Sequence, residues 1–156
     1  MKLKPSQLKF LYDYFVLRCE NDEVQLKYYY IRSKEVKALK KELNFEIVPI
    51  KPVKGISIVK KPQKNEFVFV NDKNSTLASL FHHIRNVFVH NRVYILDTGE
   101  VELIDVVPPK TMKKAELEKL RAKGKKRPEA RITMYSKFSS FDKLKKILQE
   151  LLETQQ

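Results

Sequence analysis

The stretch Ser75-Thr-Leu-Ala-Ser-Leu-Phe-His-His-Ile-Arg-Asn-Val-Phe-Val-His-Asn91 carries the clearest structural pattern in this chain. Ser75 is a residue type that caps the N-terminus of a helix by accepting a backbone hydrogen bond. Apolar residues then recur at the spacing of one helix face over four turns: Leu77, Leu80, Phe81, Ile84 and Phe88. Such a stripe packs against a core, so the sequence predicts an amphipathic helix at about residues 75–91.

Two short β-rich runs follow this helix, at residues 93–97 and 100–105. Thr98-Gly99 lies between them, and glycine can adopt the positive φ of a tight turn, so we expect a β-hairpin at about 93–106. After a basic segment at 110–131, Ser139 is the predicted cap of a closing amphipathic helix at about 140–153.

The first half of the chain is less regular. Apolar spacing predicts helices at residues 6–20 and from Ser33 to about Asn44. Residues 22–32 fit a strand or a helix equally well. Between residues 45 and 70, three β-rich runs are separated by prolines and a glycine, which indicates an irregular, strand-bearing insertion. The structure of residues 22–70 is therefore left open.

The length of 156 residues predicts one domain that spans residues 1–156. Its formal net charge of +13 favours a polyanionic partner, and we expect RNA rather than DNA. The segment 110–131 contains ten basic residues against three acidic ones, and we expect a charged helix at about 111–123. Its candidate RNA-binding residues are Lys123, Lys125, Lys126 and Arg127. The alternative is that this segment is simply a solvated, charged surface.

The remaining composition argues against several classes of protein. Cys19 is the only cysteine, and the three histidines provide no paired zinc-binding spacing, so we expect neither a structural metal nor a cofactor. No apolar run approaches the roughly 20 residues that cross a bilayer. The first residues lack the apolar core of a secretion signal. We expect a cytoplasmic protein with no membrane partner.

Polar residues line the side of the 75–91 helix that faces away from its apolar stripe. At about 100° per residue, this side carries His82, His83, Asn86 and His90, with Arg85 on its flank. His83 and His90 are two turns apart, roughly 10 Å, which is too far to share one metal ion. Phosphate chemistry fits better, because arginine binds phosphate and histidine moves protons near neutral pH. A solvated face or a subunit contact without chemistry remains the alternative.

The segment Arg85-Asn86-Val-Phe-Val-His90 resembles the arginine–polar–x3–histidine motif of the HEPN superfamily, many of whose members are metal-independent ribonucleases. The order of motif helix, hairpin and closing helix over residues 75–152 is also similar to HEPN nucleases. In this chain Val87, Phe88 and Val89 occupy the middle of the motif, where the family usually has small residues.

The resemblance implies a mainly α, HEPN-like helical bundle with a β-hairpin insertion and a short strand-bearing segment. It also implies an endoribonuclease in which Arg85 binds the scissile phosphate and His90 takes a proton from the ribose 2′-hydroxyl. Asn86 would orient His90 or contact the sugar, and the product would carry a 2′,3′-cyclic phosphate. The expected partners are RNA, a second copy in a homodimer and an antitoxin, in a toxin or phage-defence setting. The alternative is an inactive HEPN-like module that binds RNA or protein.

Overall fold

The computed structural model describes residues 3–20, 33–52, 57, 61–73, 75–109, 111–126 and 129–154. The first helical region consists of α1 (Pro5–Leu11), a π-helical turn (Tyr12–Val16) and α2 (Leu17–Glu20), one directly after another. The other helices are α3 (Lys34–Leu43), α4 (Thr76–Val89), α5 (Lys114–Ala122) and α6 (Phe141–Glu153). The strands are β1 (Glu46–Ile50), β2 (Glu66–Val70), β3 (Val93–Ile95), β4 (Val101–Val107) and β5 (Arg131–Phe138).

The five strands form one mixed sheet in the order β1-β2-β5-β4-β3. β1 and β2 are parallel, with Glu46 opposite Glu66, and every other neighbouring pair is antiparallel. The central strand is β5, which pairs with β2 on one side and with β4 on the other. The strands of the N-terminal half are thereby joined to the C-terminal hairpin in a single sheet.

One face of this sheet carries the core. Along β4 the buried residues alternate as Val101, Leu103 and Asp105, because successive side chains of a strand point to opposite faces. Helix α4 packs against β2 and β4, and α6 packs against β5. On the other side of α4, Phe15 of the π-helical turn meets Phe81 and Phe88 edge to face, at centroid distances of 5.3 and 5.7 Å. Helix α4 is therefore enclosed from two directions.

The predicted mainly α bundle is wrong, because the chain has an α/β fold built on the five-stranded mixed sheet. Two of the runs that we assigned to an insertion are β1 and β2, and they are part of the sheet. Strand β5 lies between the basic segment and the closing helix, where we predicted no regular element. The long-range pairing of β5 with β2 creates the sheet, and local sequence patterns do not encode such a pairing.

Several elements lie where the local patterns place them, although their ends differ by a few residues. The hydroxyl of Ser75 caps α4 by accepting a hydrogen bond from the backbone N–H of Ala78 at 3.0 Å. The closing helix is capped by Ser140 rather than the predicted Ser139, since the Ser140 hydroxyl accepts from the Lys143 N–H at 3.1 Å. Residues 22–32, which we left open, lie outside the described residues. Within the described ranges, no helix is both long and apolar enough to cross a membrane.

Candidate active site

The accessible side of α4 presents four polar residues, His82, Arg85, Asn86 and His90, which we call the polar strip. The first three are half-buried and His90 is exposed. His90 is also the C-cap of the helix, and its backbone N–H donates to the carbonyl of Asn86 at 3.0 Å. The helix stops there because the next residue, Asn91, takes a left-handed conformation with φ 51°.

The side-chain amide of Asn86 connects two neighbours within the polar strip. Its oxygen accepts a hydrogen bond from Nη1 of Arg85 at 3.3 Å. Its nitrogen lies 3.3 Å from Nε2 of His82, one helical turn earlier, and donates to that ring nitrogen. The strip is therefore partly ordered by its own contacts, with Asn86 between the arginine and the histidine.

His90 lies one turn beyond Asn86, about 6 Å along the helix axis. We expected the Asn86 amide to orient the His90 ring or to contact the sugar. In the described part of the chain, the hydrogen bonds of that amide go to His82 and Arg85, and none reaches the His90 ring. The structure thus places Arg85, Asn86 and His90 on one side of α4, and it adds His82 as a direct neighbour of Asn86.

The environment of His82 favours its neutral form. Partial burial lowers the pKa of its imidazole below the ordinary value, and the positive charge of Lys73 and the neighbouring His83 lower this pKa further. A neutral ring has one nitrogen that can accept a hydrogen bond, and Nε2 accepts from Asn86. His82 is therefore suited to receive a proton near neutral pH.

His83 does not lie on the accessible side, which corrects our placement of all three histidines there. Only 2% of the surface of His83 is exposed to solvent. Its Nδ1 lies 2.7 Å from Oδ2 of Asp105 in β4, and its Nε2 lies 2.8 Å from the carbonyl oxygen of Val70 in β2. The covered side of α4 is wider than its apolar stripe, because two strands of the sheet pack against it.

Both ring nitrogens of His83 face oxygen atoms that accept hydrogen bonds, so a doubly protonated imidazolium satisfies both. Burial alone would lower the pKa of His83. The hydrogen bonds to Asp105 and Val70, together with the negative charge of Asp105, outweigh burial and raise this pKa above its ordinary value. The hydroxyl of Thr133 also donates to Oδ2 of Asp105, at 3.4 Å. A buried, hydrogen-bonded pair thus ties α4 to β4.

The sequence contains only a weak signal for this pair. Asp105 is 22 positions after His83, and no motif spacing connects them. The usable signal is the alternation within β4, which places Asp105 on the same face as Val101 and Leu103. A carboxylate at such a position needs a buried partner, and the neighbouring helix has a histidine to supply it.

The basic segment is exposed in the structure. None of the described residues of α5 is buried. Lys123, Lys125 and Lys126, which follow this helix, are all exposed, while the fourth predicted RNA-binding residue, Arg127, lies outside the described residues. Three of the four predicted side chains are therefore accessible to a polyanion.

The described residues contain no group of three or more histidine, cysteine, aspartate or glutamate side chains that could hold a metal ion. Comparison of the chain with protein-family models, with curated proteins and with solved structures finds no match. The functional argument therefore depends on the residues of the chain itself.

Proposed function

We propose that this protein is a metal-independent endoribonuclease whose active site is the polar strip of α4. The observation that carries the proposal is the hydrogen-bonded grouping of Arg85, Asn86 and His82 on the accessible side of the helix, with His90 one turn further on. This grouping combines a phosphate ligand with side chains that move protons near neutral pH.

Each step of RNA cleavage has a residue that suits it. The planar guanidinium of Arg85 presents paired donors that match two phosphate oxygens and neutralise the charge that develops on them. The ribose 2′-hydroxyl then attacks the adjacent phosphorus, while a histidine of the strip moves the proton. The products are a 2′,3′-cyclic phosphate and a 5′-hydroxyl. DNA lacks the attacking hydroxyl and is not a substrate.

The charge of the chain supports an RNA substrate. A net charge of +13 attracts a polyanion from a distance, and the exposed Lys123, Lys125 and Lys126 offer contacts to the phosphate backbone. Because the polar strip lies along a single helix, RNA bound to one copy of the chain would stay exposed to solvent on one side. A second copy of the chain would cover that side. We therefore propose a homodimer as the active form. From the HEPN resemblance we further propose a toxin or phage-defence setting, with an antitoxin as the regulator.

A second candidate function is an RNA-binding module that does not cut. The observation that favours it is the position of His90, whose ring takes part in none of the described hydrogen bonds of the strip. A histidine that is not oriented by a neighbour contributes less to catalysis, because proton transfer requires a fixed geometry.

The test is cleavage of single-stranded RNA by the purified protein in excess EDTA, with the matching DNA as a control. We expect RNA alone to be cut and the products to carry cyclic phosphate ends. The His90→Ala variant should lose on the order of 10²- to 10⁴-fold in rate, which is the usual contribution of a positioned acid–base group. RNA binding without cleavage by the wild type would instead support the second candidate function.

A further inference from the structure

Cleavage of RNA by its own 2′-hydroxyl requires two proton transfers. One proton leaves the attacking 2′-oxygen and another reaches the departing 5′-oxygen, so an efficient site needs a general base and a general acid. A single histidine cannot be deprotonated for the first transfer and protonated for the second at the same moment. On the basis of the proposed ribonuclease function, a second group must therefore lie within reach of the phosphate.

His82 lies in the right place to be that group. Asn86 lies midway between His82 and His90 along the helix, about 6 Å from each, and the three residues span about 80° of the helix circumference. His82 contacts the Asn86 amide directly at 3.3 Å. His90 follows Asn86 by one turn and is exposed at the C-terminal end of the helix. A phosphate held at Arg85 would have one histidine on either side.

We propose that His82 is a second catalytic residue, the general base, and that His90 is the general acid. Nε2 of His82 takes the proton from the 2′-hydroxyl while the 2′-oxygen forms its bond to phosphorus. The bond from phosphorus to the 5′-oxygen breaks, and the His90 imidazolium gives its proton to that oxygen. This division assigns His90 the opposite transfer from the one that the family resemblance implies.

The local environment supports these roles. The pKa of His82 is lowered, so its ring is neutral and available as a base near neutral pH. Its Nε2 already accepts a hydrogen bond from Asn86, and a 2′-hydroxyl could replace the amide as the donor. His83 cannot serve in its place, because both of its ring nitrogens are bound within the core. His90 is exposed and can exchange protons with water between turnovers.

A substrate with a sulfur atom in place of the departing 5′-oxygen separates the two roles. A thiolate leaves without protonation, because a thiol has a pKa of about 8.5, far below that of an alcohol. Loss of the general acid therefore does not slow cleavage of the sulfur substrate, whereas loss of the general base does. The enzymes to compare are the wild type, His82→Ala, His90→Ala and a control variant. The control is Val89→Ala, which shortens an exposed valine on the same helix.

We expect His82→Ala to lose on the order of 10²- to 10⁴-fold in single-turnover rate with the oxygen substrate and to remain slow with the sulfur substrate. His90→Ala should be equally slow with oxygen and should recover with sulfur. Circular dichroism would establish that each variant is folded. If His82→Ala unfolds, His82→Asn replaces it, because an amide keeps a hydrogen bond to Asn86.

Other outcomes overturn the inference. If the wild type cleaves RNA and His82→Ala matches it on both substrates, His82 has no part in the chemistry, and the ribonuclease proposal stands without it. Recovery of His82→Ala, but not of His90→Ala, with sulfur would reverse the two roles and contradict our assignment. A wild type that cleaves neither substrate overturns the ribonuclease proposal and this inference together.

Discussion

The two sides of helix α4 carry adjacent histidines whose pKa values are shifted in opposite directions. His82 and His83 are adjacent in sequence, and their rings are 6.0 Å apart. The pKa of His82 is lowered by partial burial and by the charge of Lys73. Burial also lowers the pKa of His83, but the hydrogen bonds to Asp105 and Val70 raise it overall. The partners that the fold supplies determine whether the pKa of a histidine is raised or lowered.

This difference separates stability from function along one helix. His83 holds α4 to the sheet through its buried contact with Asp105. The neutral His82 shares the accessible side with Arg85 and Asn86, where a substrate could approach. We therefore expect substitutions on the buried side to change the free energy of unfolding and substitutions on the accessible side to change activity.

The largest effect on stability should come from removing His83. In His83→Ala the carboxylate of Asp105 stays buried without its positive partner, and breaking such a pair costs about 3–5 kcal/mol. Urea denaturation would measure the loss in the free energy of unfolding. The matched control is His90→Ala on the exposed end of the same helix, which should change this free energy by under about 0.5 kcal/mol. Equal effects of the two variants would show that the buried pair does not stabilise the fold.

A smaller effect concerns the pH dependence of stability. Since the pKa of His83 in the folded state lies above the unfolded value of about 6.5, its charge stabilises the fold fully below that pH. The stabilisation is lost as pH rises through the folded-state pKa. The difference in free energy of unfolding between wild type and His83→Gln should therefore fall above about pH 6.5, by about 1.4 kcal/mol for each unit by which the pKa is raised. A difference that grows with pH would contradict a charged His83.

The local parts of the fold could be predicted from the sequence, and the global arrangement could not. Capping residues and apolar spacing predict α3, α4 and α6, because these signals depend on neighbours within a few positions. The Thr98-Gly99 turn likewise predicts the hairpin, and Gly99 has φ 87° in the structure. The sheet depends on the pairing of β5 with β2, for example Met134 with Phe69, across more than 60 positions. No local pattern states that pairing, so the sequence alone indicates an insertion where β1 and β2 lie and no regular element where β5 lies.

The candidate site shows the same limit. The rotation of about 100° per residue places Arg85, Asn86 and His90 away from the apolar stripe, as the structure does, because these angles follow from helical geometry alone. It does not reveal that β2 and β4 cover the flank that contains His83. It also gives no reason to pair Asn86 with His82 rather than with His90, since both are four positions away. Only the structure distinguishes the two neighbours.

The measurement that tests the division of α4 most directly is the single-turnover rate of RNA cleavage, in EDTA, for Arg85→Ala and His83→Gln at a temperature where both are folded. We predict that Arg85→Ala loses about 10²-fold or more in rate, because the phosphate loses its guanidinium, and that it melts like the wild type. His83→Gln should melt at a lower temperature and keep a rate per folded molecule within about threefold of wild type. A folded Arg85→Ala protein that cleaves RNA at the wild-type rate would contradict the assignment of function to the accessible side.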